Sequence, residues 1–343
     1  MRHNLARARQ CAPAAKAWAV VKADAYGHGL AAAMQGFEAA DGLALIEFEQ
    51  ASRLRALGWD KPILMLEGAF DSEDVQTACD LNLSLVVHQP LQIDWLERRD
   101  GSRQIAVFLK YNSGMNRLGF ETQEFKMAYA RLLKADVVRS ISLATHFANS
   151  DLPGGADDAL MRFDEASRRL AGERCLSNSA AVLAVPRAHR DAVRPGIMLY
   201  GATPFADRSA AQLELQPAMQ LRSRLIAVRR LSIGDSVGYG STFVADKPMR
   251  IGVVACGYAD GYPRHAPTGT PIAVEGLRTR TLGRVAMDML MVDLDPVGTV
   301  DVGASVELWG QRVPIDEVAQ SAGTIGYELM CALAPRVPRR VIG

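Results

Sequence analysis

From residue 17 to about residue 200, short apolar, β-branched runs alternate with segments in which apolar positions recur at helical spacing. A strand covered on both faces reads as a continuous apolar run, while its covering helix shows one apolar stripe, so the alternation signals β/α units over a parallel sheet. The runs predict strands at 18–21, 43–46, 63–66, 83–87, 105–109, 140–145, 174–176 and 192–193. Between them, amphipathic helices are predicted at 47–57, 72–81, 123–133 and 157–170. Eight such strands close a TIM-like (β/α)8 barrel.

After Gly201 the texture changes. The segments 222–231, 251–256, 271–274, 289–294 and 305–308 are short and β-rich, and Gly, Pro and Asp turn residues such as Gly234, Asp235, Asp301 and Gly303 separate them. The expected organisation is α/β overall: an N-terminal barrel over 1–201 and a mainly β C-terminal domain over 202–343.

Composition narrows the function. Against 39 Lys and Arg stand 38 Asp and Glu, with no dense basic run, so neither nucleic acid nor a membrane surface is an expected partner. A small-molecule substrate remains. Cys11, Cys79, Cys175, Cys256 and Cys331 lie far apart, without the close pairs of a zinc or redox site, and no metal is expected. Pro13 and Lys16 interrupt the place where a signal peptide would need its apolar core, and no later apolar run is long enough to span a bilayer. A cytoplasmic enzyme is expected.

A barrel carries its chemistry at the C-terminal ends of its strands. There the sequence places Lys22 after the first strand, Lys110 after the fifth with Arg117 beyond, His146 after the sixth, Asn178 and Ser179 after the seventh, and Arg194 after the eighth. Singly, each has an ordinary reading: a solvated lysine, surface ion-pairing arginines, a satisfied core histidine. Together at one end they point to an active site. A lysine at the mouth with a small polar loop beyond strands seven and eight suits a Schiff-base cofactor whose phosphate is held by loop amides.

The segment VVKADAYGHGL at 20–30 resembles the lysine motif of the bacterial alanine racemases, which depend on pyridoxal 5'-phosphate (PLP). The resemblance recurs in order in LKYNSGMNRLGF at 109–120, THFANSD at 145–151, SNSAAVL at 177–183 and VRPGIMLYG at 193–201. It continues in VGYGSTF at 237–243, GYADGYPR at 257–264, GRVAMDML at 283–290 and GTIGYELMC at 323–331.

Position by position, the resemblance implies that Lys22 carries PLP and serves as one base. Tyr239 is implied as the other base, reaching the site from the second subunit of a homodimer. A planar carbanion deprotonated on one face and reprotonated on the other needs two such groups. Phosphate contacts fall on Tyr26, Ser179, Gly196, Ile197 and Tyr327, with Asn178 beside them. Arg194 falls against the pyridine nitrogen of PLP. Arg117 matches the arginine near the PLP phenolic oxygen and the substrate carboxylate, Met287 the residue whose backbone amide meets that carboxylate, and Tyr258 the entrance. The implied activity is interconversion of L- and D-alanine, to supply or catabolise D-alanine. Other readings of the same residues are a racemase of broader specificity, a non-catalytic PLP-binding barrel and a PLP decarboxylase; the last two leave the motifs around Tyr239 and Met287 unexplained.

Two departures stand out. Family members usually begin with a strand before the helix that opens here at Met1, so a first strand of the β domain is expected to be absent. Many relatives also carry Asp where this chain has Asn112. In the family the lysine at Lys110 can be carbamylated, and here the carbamate would be the local anion for Arg117. Without it, Lys110 and Arg117 form a like-charge pair that is costly if buried.

Overall fold

The computed structural model describes residues 1–342, in two compact units. The first comprises Met1–Ala25, Gly29–Leu199 and Pro204–Arg208. Its strands are β1 (Lys16–Val20), β2 (Gly42–Leu45), β3 (Ile63–Met65), β4 (Ser84–Val87), β5 (Ile105–Lys110), β6 (Val138–Ala144), β7 (Arg174–Ser177) and β8 (Ala192–Val193). They pair in parallel, each with the next, and β8 returns to β1 to close the barrel. All eight predicted strands form, with ends shifted by a residue or two.

The four predicted helices form as Phe48–Ala56, Ser72–Asp80, Thr122–Leu132 and Asp157–Ser167. The periodicity passes over Leu30–Gly36, Pro90–Glu97 and Ser179–Ala184, which are too short to show a period clearly. Pro90 at the first turn of its helix was a usable start signal.

The barrel interior is packed rather than open. Trp18 on β1 meets Phe108 on β5 edge to face, with ring centroids 5.5 Å apart. These strands are opposite in the strand order, so the two rings meet through the interior. Gly42 pairs with Trp18 across β1 and β2, and a Cβ there would lie 2.5 Å from the indole Cε3. The missing side chain is what admits the ring.

The second unit comprises Tyr26–His28, Tyr200–Thr203 and the chain from Ser209 onward. Its strands are β9 (Leu221–Leu231), β10 (Ser236–Val237), β11 (Phe243–Val244), β12 (Met249–Val254), β13 (Pro271–Val274), β14 (Leu277–Leu282), β15 (Leu290–Asp293) and β16 (Ser305–Trp309). An antiparallel barrel closes in the order β12, β15, β14, β13, β16, β9, and β10 with β11 forms a separate ribbon. Val274, Leu282, Val292, Val306, Leu308 and Trp309 are buried. Five of these strands match predicted segments. The pattern reading misses the two-residue strands β10 and β11 and also β14, where Arg278 and Arg280 interrupt the apolar run.

Candidate active site

Strand β1 stops at Val20, and Lys22 opens the turn Lys22–Tyr26 two residues later. Ala23, Asp24, Ala25 and Tyr26 have φ of 55°, 50°, 56° and 52°. The lysine therefore sits at the head of a left-handed turn built without glycine. Each such residue costs roughly 1–2 kcal/mol, so the turn persists only where its surroundings enforce it. Part of the enforcement is local. The amide of Ala25 donates to Val21 O at 2.9 Å, that of Gly29 to Asp24 O at 2.9 Å, and that of Leu30 to Asp24 Oδ1 at 2.9 Å.

Around the mouth positive charge predominates. Burial first, then Arg194 and Arg117, lowers the Lys110 pKa to about 8, while Glu67 pulls the other way. His146 lies two residues beyond β6. Burial, followed by Arg194, Lys110, Arg117 and Lys22, holds it neutral with a pKa of about 3. The five groups that the sequence placed at strand ends thus act on one another in the fold. Arg117 also opposes the charge on Lys110, as a like-charge pair would, but Arg117 is exposed and the pair is not a buried one. Lys110, Arg117 and His146 also line one small void.

Asn112 does not face that conflict alone, because its side chain builds the loop. Its Oδ1 accepts from Gly114 N at 3.2 Å and Asn116 N at 3.0 Å, and its Nδ2 donates to Glu121 Oε1 at 2.7 Å. Behind the loop runs a buried chain. Ser113 donates to Thr145 Oγ1 at 2.7 Å, Thr145 Oγ1 donates to Tyr111 O at 2.9 Å, and Thr145 O accepts from Arg194 Nη2 at 2.6 Å. Sequence reasoning gives Thr145 and Ser113 no role, although both lie in the quoted motifs.

Arg194 follows β8 and is 8 % exposed. Besides Thr145, its guanidinium donates to the carbonyls of Cys175 and Leu176 and to Cys175 Sγ. It is a fixed donor rather than a surface ion-pairer.

On the next loop, Asn178 caps the helix Ser179–Ala184. Its Oδ1 accepts from Ala181 N at 3.1 Å and Ser150 Oγ at 2.8 Å, while Nδ2 donates to Phe147 O at 3.2 Å. The capped helix presents Ser179, whose Oγ accepts from Gly196 N at 2.8 Å and Met198 N at 3.3 Å. With its lone pairs used, the hydroxyl proton is what Ser179 offers an anion. Ile197 opens the 3-10 turn Ile197–Tyr200, so its amide is a first-turn donor.

This donor set fits PLP. Lys22, Lys110, Arg117 and Arg194 leave the mouth short of negative charge, and a phosphate with a phenolic oxygen supplies it.

Tyr26 and Tyr327 belong to the second unit, with ring centroids 5.9 Å apart. Burial first, then Tyr327 and Cys331, pushes the Tyr26 phenol well above its ordinary pKa, so it stays a donor. Tyr239 occupies the turn between β10 and β11 and is 71 % exposed. Tyr258 and Met287 are also exposed and sit on loops that are bonded together. Tyr258 N donates to Ala286 O at 3.1 Å, and Ala259 N to Met287 O at 3.0 Å. Arg336 ties both loops through Asp260 and Asp288, each at 2.7 Å.

Comparison with known proteins agrees with the sequence motifs. Residues 1–204 match the family model "Alanine racemase, N-terminal domain" and residues 218–341 match "Alanine racemase, C-terminal domain". The chain is 56 % identical over 341 residues to an alanine racemase of Janthinobacterium sp. (strain Marseille), covering 98 % of this chain and 95 % of that one. It is 54 % identical over 345 residues to an alanine racemase of Acidovorax ebreus (strain TPSY), covering 98 % and 94 %. Among solved structures, the biosynthetic alanine racemase from Pseudomonas aeruginosa superposes with a TM-score of 0.95 at 47 % identity, over 99 % of this chain and 96 % of that one. Matched through both domains and on both measures, the chain belongs to the alanine racemase family.

Proposed function

We propose that this chain interconverts L- and D-alanine using PLP, as a homodimer in the cytoplasm. Residues 1–201, with Tyr327 beside Tyr26, hold the cofactor, and residues 202–343 also complete the partner subunit's site. The observation that carries this reading is that four cations, Lys22, Lys110, Arg117 and the buried Arg194, act together on a neutral His146. A biosynthetic role is supported by likeness to the P. aeruginosa enzyme so described. Among the described residues no helix is long and apolar enough to cross a membrane.

Tyr26, Tyr327, Ser179 and the amides of Gly196 and Ile197 would hold the phosphate, and Lys22 would carry the cofactor covalently. Pyridoxal phosphate supplies the electron sink that lets a substrate Cα–H ionise. Arg117 orients the substrate carboxylate, for which its planar guanidinium is suited, with the Met287 amide as a second donor. Lys22 Nζ takes or returns the α-proton on one face, and Tyr239 Oη does so on the other. Arg194, a fixed donor that cannot accept a proton, would hold the ring nitrogen of the cofactor by donating to it.

The test is to incubate the enzyme with one enantiomer of alanine in heavy water. Loss of optical rotation with deuterium at Cα and no CO2 is expected. Retained rotation points to a non-catalytic binder, and CO2 release to a decarboxylase; either removes the proposal. Tyr239→Phe separates the bases. It should still exchange the α-proton of D-alanine through Lys22, while exchange from L-alanine collapses.

A further inference from the structure

Tyr200 is wholly buried, and no role is assigned to it by the motif in which it lies. Its ring stacks on Tyr26, with centroids 4.6 Å apart and planes 25° apart. The same ring meets His28, again with centroids 4.6 Å apart, at 31°. His28 Nδ1 lies 2.9 Å from Tyr26 O, and since a carbonyl only accepts, that nitrogen carries the proton and donates. Tyr26 is therefore held by its ring and by its carbonyl, through two residues that also touch each other.

Gly27, between Tyr26 and His28, explains how both side chains reach Tyr200. Its φ is +76°, and a Cβ would lie 2.0 Å from Met330 O. Only glycine lets the chain turn while pressed against the helix Gly326–Cys331, which carries Tyr327. The phenols of Tyr26 and Tyr327, proposed above to hold the phosphate, are thereby set near one another. Tyr200 is also the last residue of the 3-10 turn that Ile197 opens. The turn that offers the Ile197 amide thus carries the ring that orients Tyr26.

We infer that Tyr200 and His28 are positioning residues that fix the Tyr26 phenol for the cofactor phosphate, and so set the affinity for PLP. The inference rests on Tyr26 and Tyr327 being phosphate ligands. Neither positioning side chain is needed for the proton transfers, so the effect falls on cofactor retention before it falls on chemistry.

The experiment measures the PLP dissociation constant of the holoenzyme by equilibrium dialysis, together with the phosphorus NMR signal of bound PLP. Tyr200→Leu removes the stack and should weaken PLP binding by about tenfold, with a shifted phosphorus resonance. Tyr200→Phe keeps the stack and should restore both readouts. His28→Gln should weaken binding by a smaller factor. In a Tyr26→Leu background, Tyr200→Leu should add nothing, because it acts through that phenol. Wild-type affinity in Tyr200→Leu, or an undiminished effect in the Tyr26→Leu background, overturns the inference. If Tyr26→Leu by itself leaves the dissociation constant unchanged, the phosphate reading of Tyr26 is what fails. Should Tyr200→Leu not fold by circular dichroism, His28→Gln and Tyr200→Met carry the same comparison.

Discussion

The guanidinium of Arg194 donates to the main-chain carbonyl of Thr145 at 2.6 Å, and this bond joins the eighth strand of the barrel to the end of the sixth. Together with the carbonyls of Cys175 and Leu176, it makes Arg194 a buried cation surrounded by acceptors. A carboxylate could not take its place without facing those carbonyls, so Arg194→Lys is the informative change. It keeps the charge and loses most of the fork. The variant is expected to lose about 2–3 kcal/mol of stability by urea unfolding of the apoprotein. With the donor no longer fixed, pyruvate formation should rise relative to racemisation. An unchanged ratio of the two rates would assign Arg194 a purely structural role.

His146 supplies a pH dependence. Unfolded, it binds a proton near its ordinary value of 6.5, whereas in the fold burial and four cations delay protonation to about 3. The unfolded state then binds more protons throughout that window, so stability is lost as pH falls from 6.5 toward 3. The loss is on the order of a few kcal/mol. Urea midpoints of the apoprotein at about pH 7 and about pH 4.5 should separate widely, and less so in His146→Gln. Bound PLP, an anion among the same cations, should make the fall shallower. A variant as acid-sensitive as the wild type would place the titrating group elsewhere.

How much of this was legible depends on which forces set each part. The barrel strands were, because strands such as Leu43–Leu45 and Ile63–Met65 are buried on both faces and must be apolar throughout. Lys22, Lys110 and Arg194 stood out as polar residues at the ends of such runs. The left-handed turn after Lys22 was not legible. Ala23, Asp24, Ala25 and Tyr26 all prefer right-handed backbone, and only the fold overrides that preference. Strand β14 was hidden because Arg278 and Arg280 face solvent and dilute the apolar signal. Ser113, Thr145 and Tyr200 were unreadable for a different reason: their partners are distant in sequence, and a hydroxyl or a ring carries no mark of what it will meet.

Lys110 is expected to take up CO2. Its pKa of about 8 leaves roughly a fifth of the amine neutral near physiological pH, far more than in an ordinary lysine, and the neutral amine is the form that reacts. Asn112 brings no charge of its own to Arg117, so a carbamate would relieve the like-charge pair. Native mass spectrometry in bicarbonate buffer should show the added mass of one CO2 per chain, increasing from about pH 7 to about pH 9 as the amine loses its proton. Lys110→Ala should abolish the adduct and raise KM for alanine, since Arg117 would lose its anchor. No adduct at any pH in that range would leave the cluster's positive charge to be balanced by the cofactor alone.

The last expectation concerns where the second base works. Tyr239 is 71 % exposed and Met287 54 % exposed, on the same unit as the half-exposed Tyr258. Large apolar or aromatic side chains left bare together mark a surface that another molecule covers. If that molecule is a second copy of the chain, each site takes Lys22 from one subunit and Tyr239 from the other. Lys22→Ala and Tyr239→Phe homodimers would then each be inactive as racemases. After exchange of subunits, random pairing makes half of the dimers mixed, and in each mixed dimer one site has lost both residues while the other keeps both. An equimolar mixture should therefore recover about a quarter of wild-type activity. The measurement is racemisation rate against time after mixing, with subunit exchange followed separately by native mass spectrometry. Complete exchange with no recovered activity would mean that Lys22 and Tyr239 of a single chain work together.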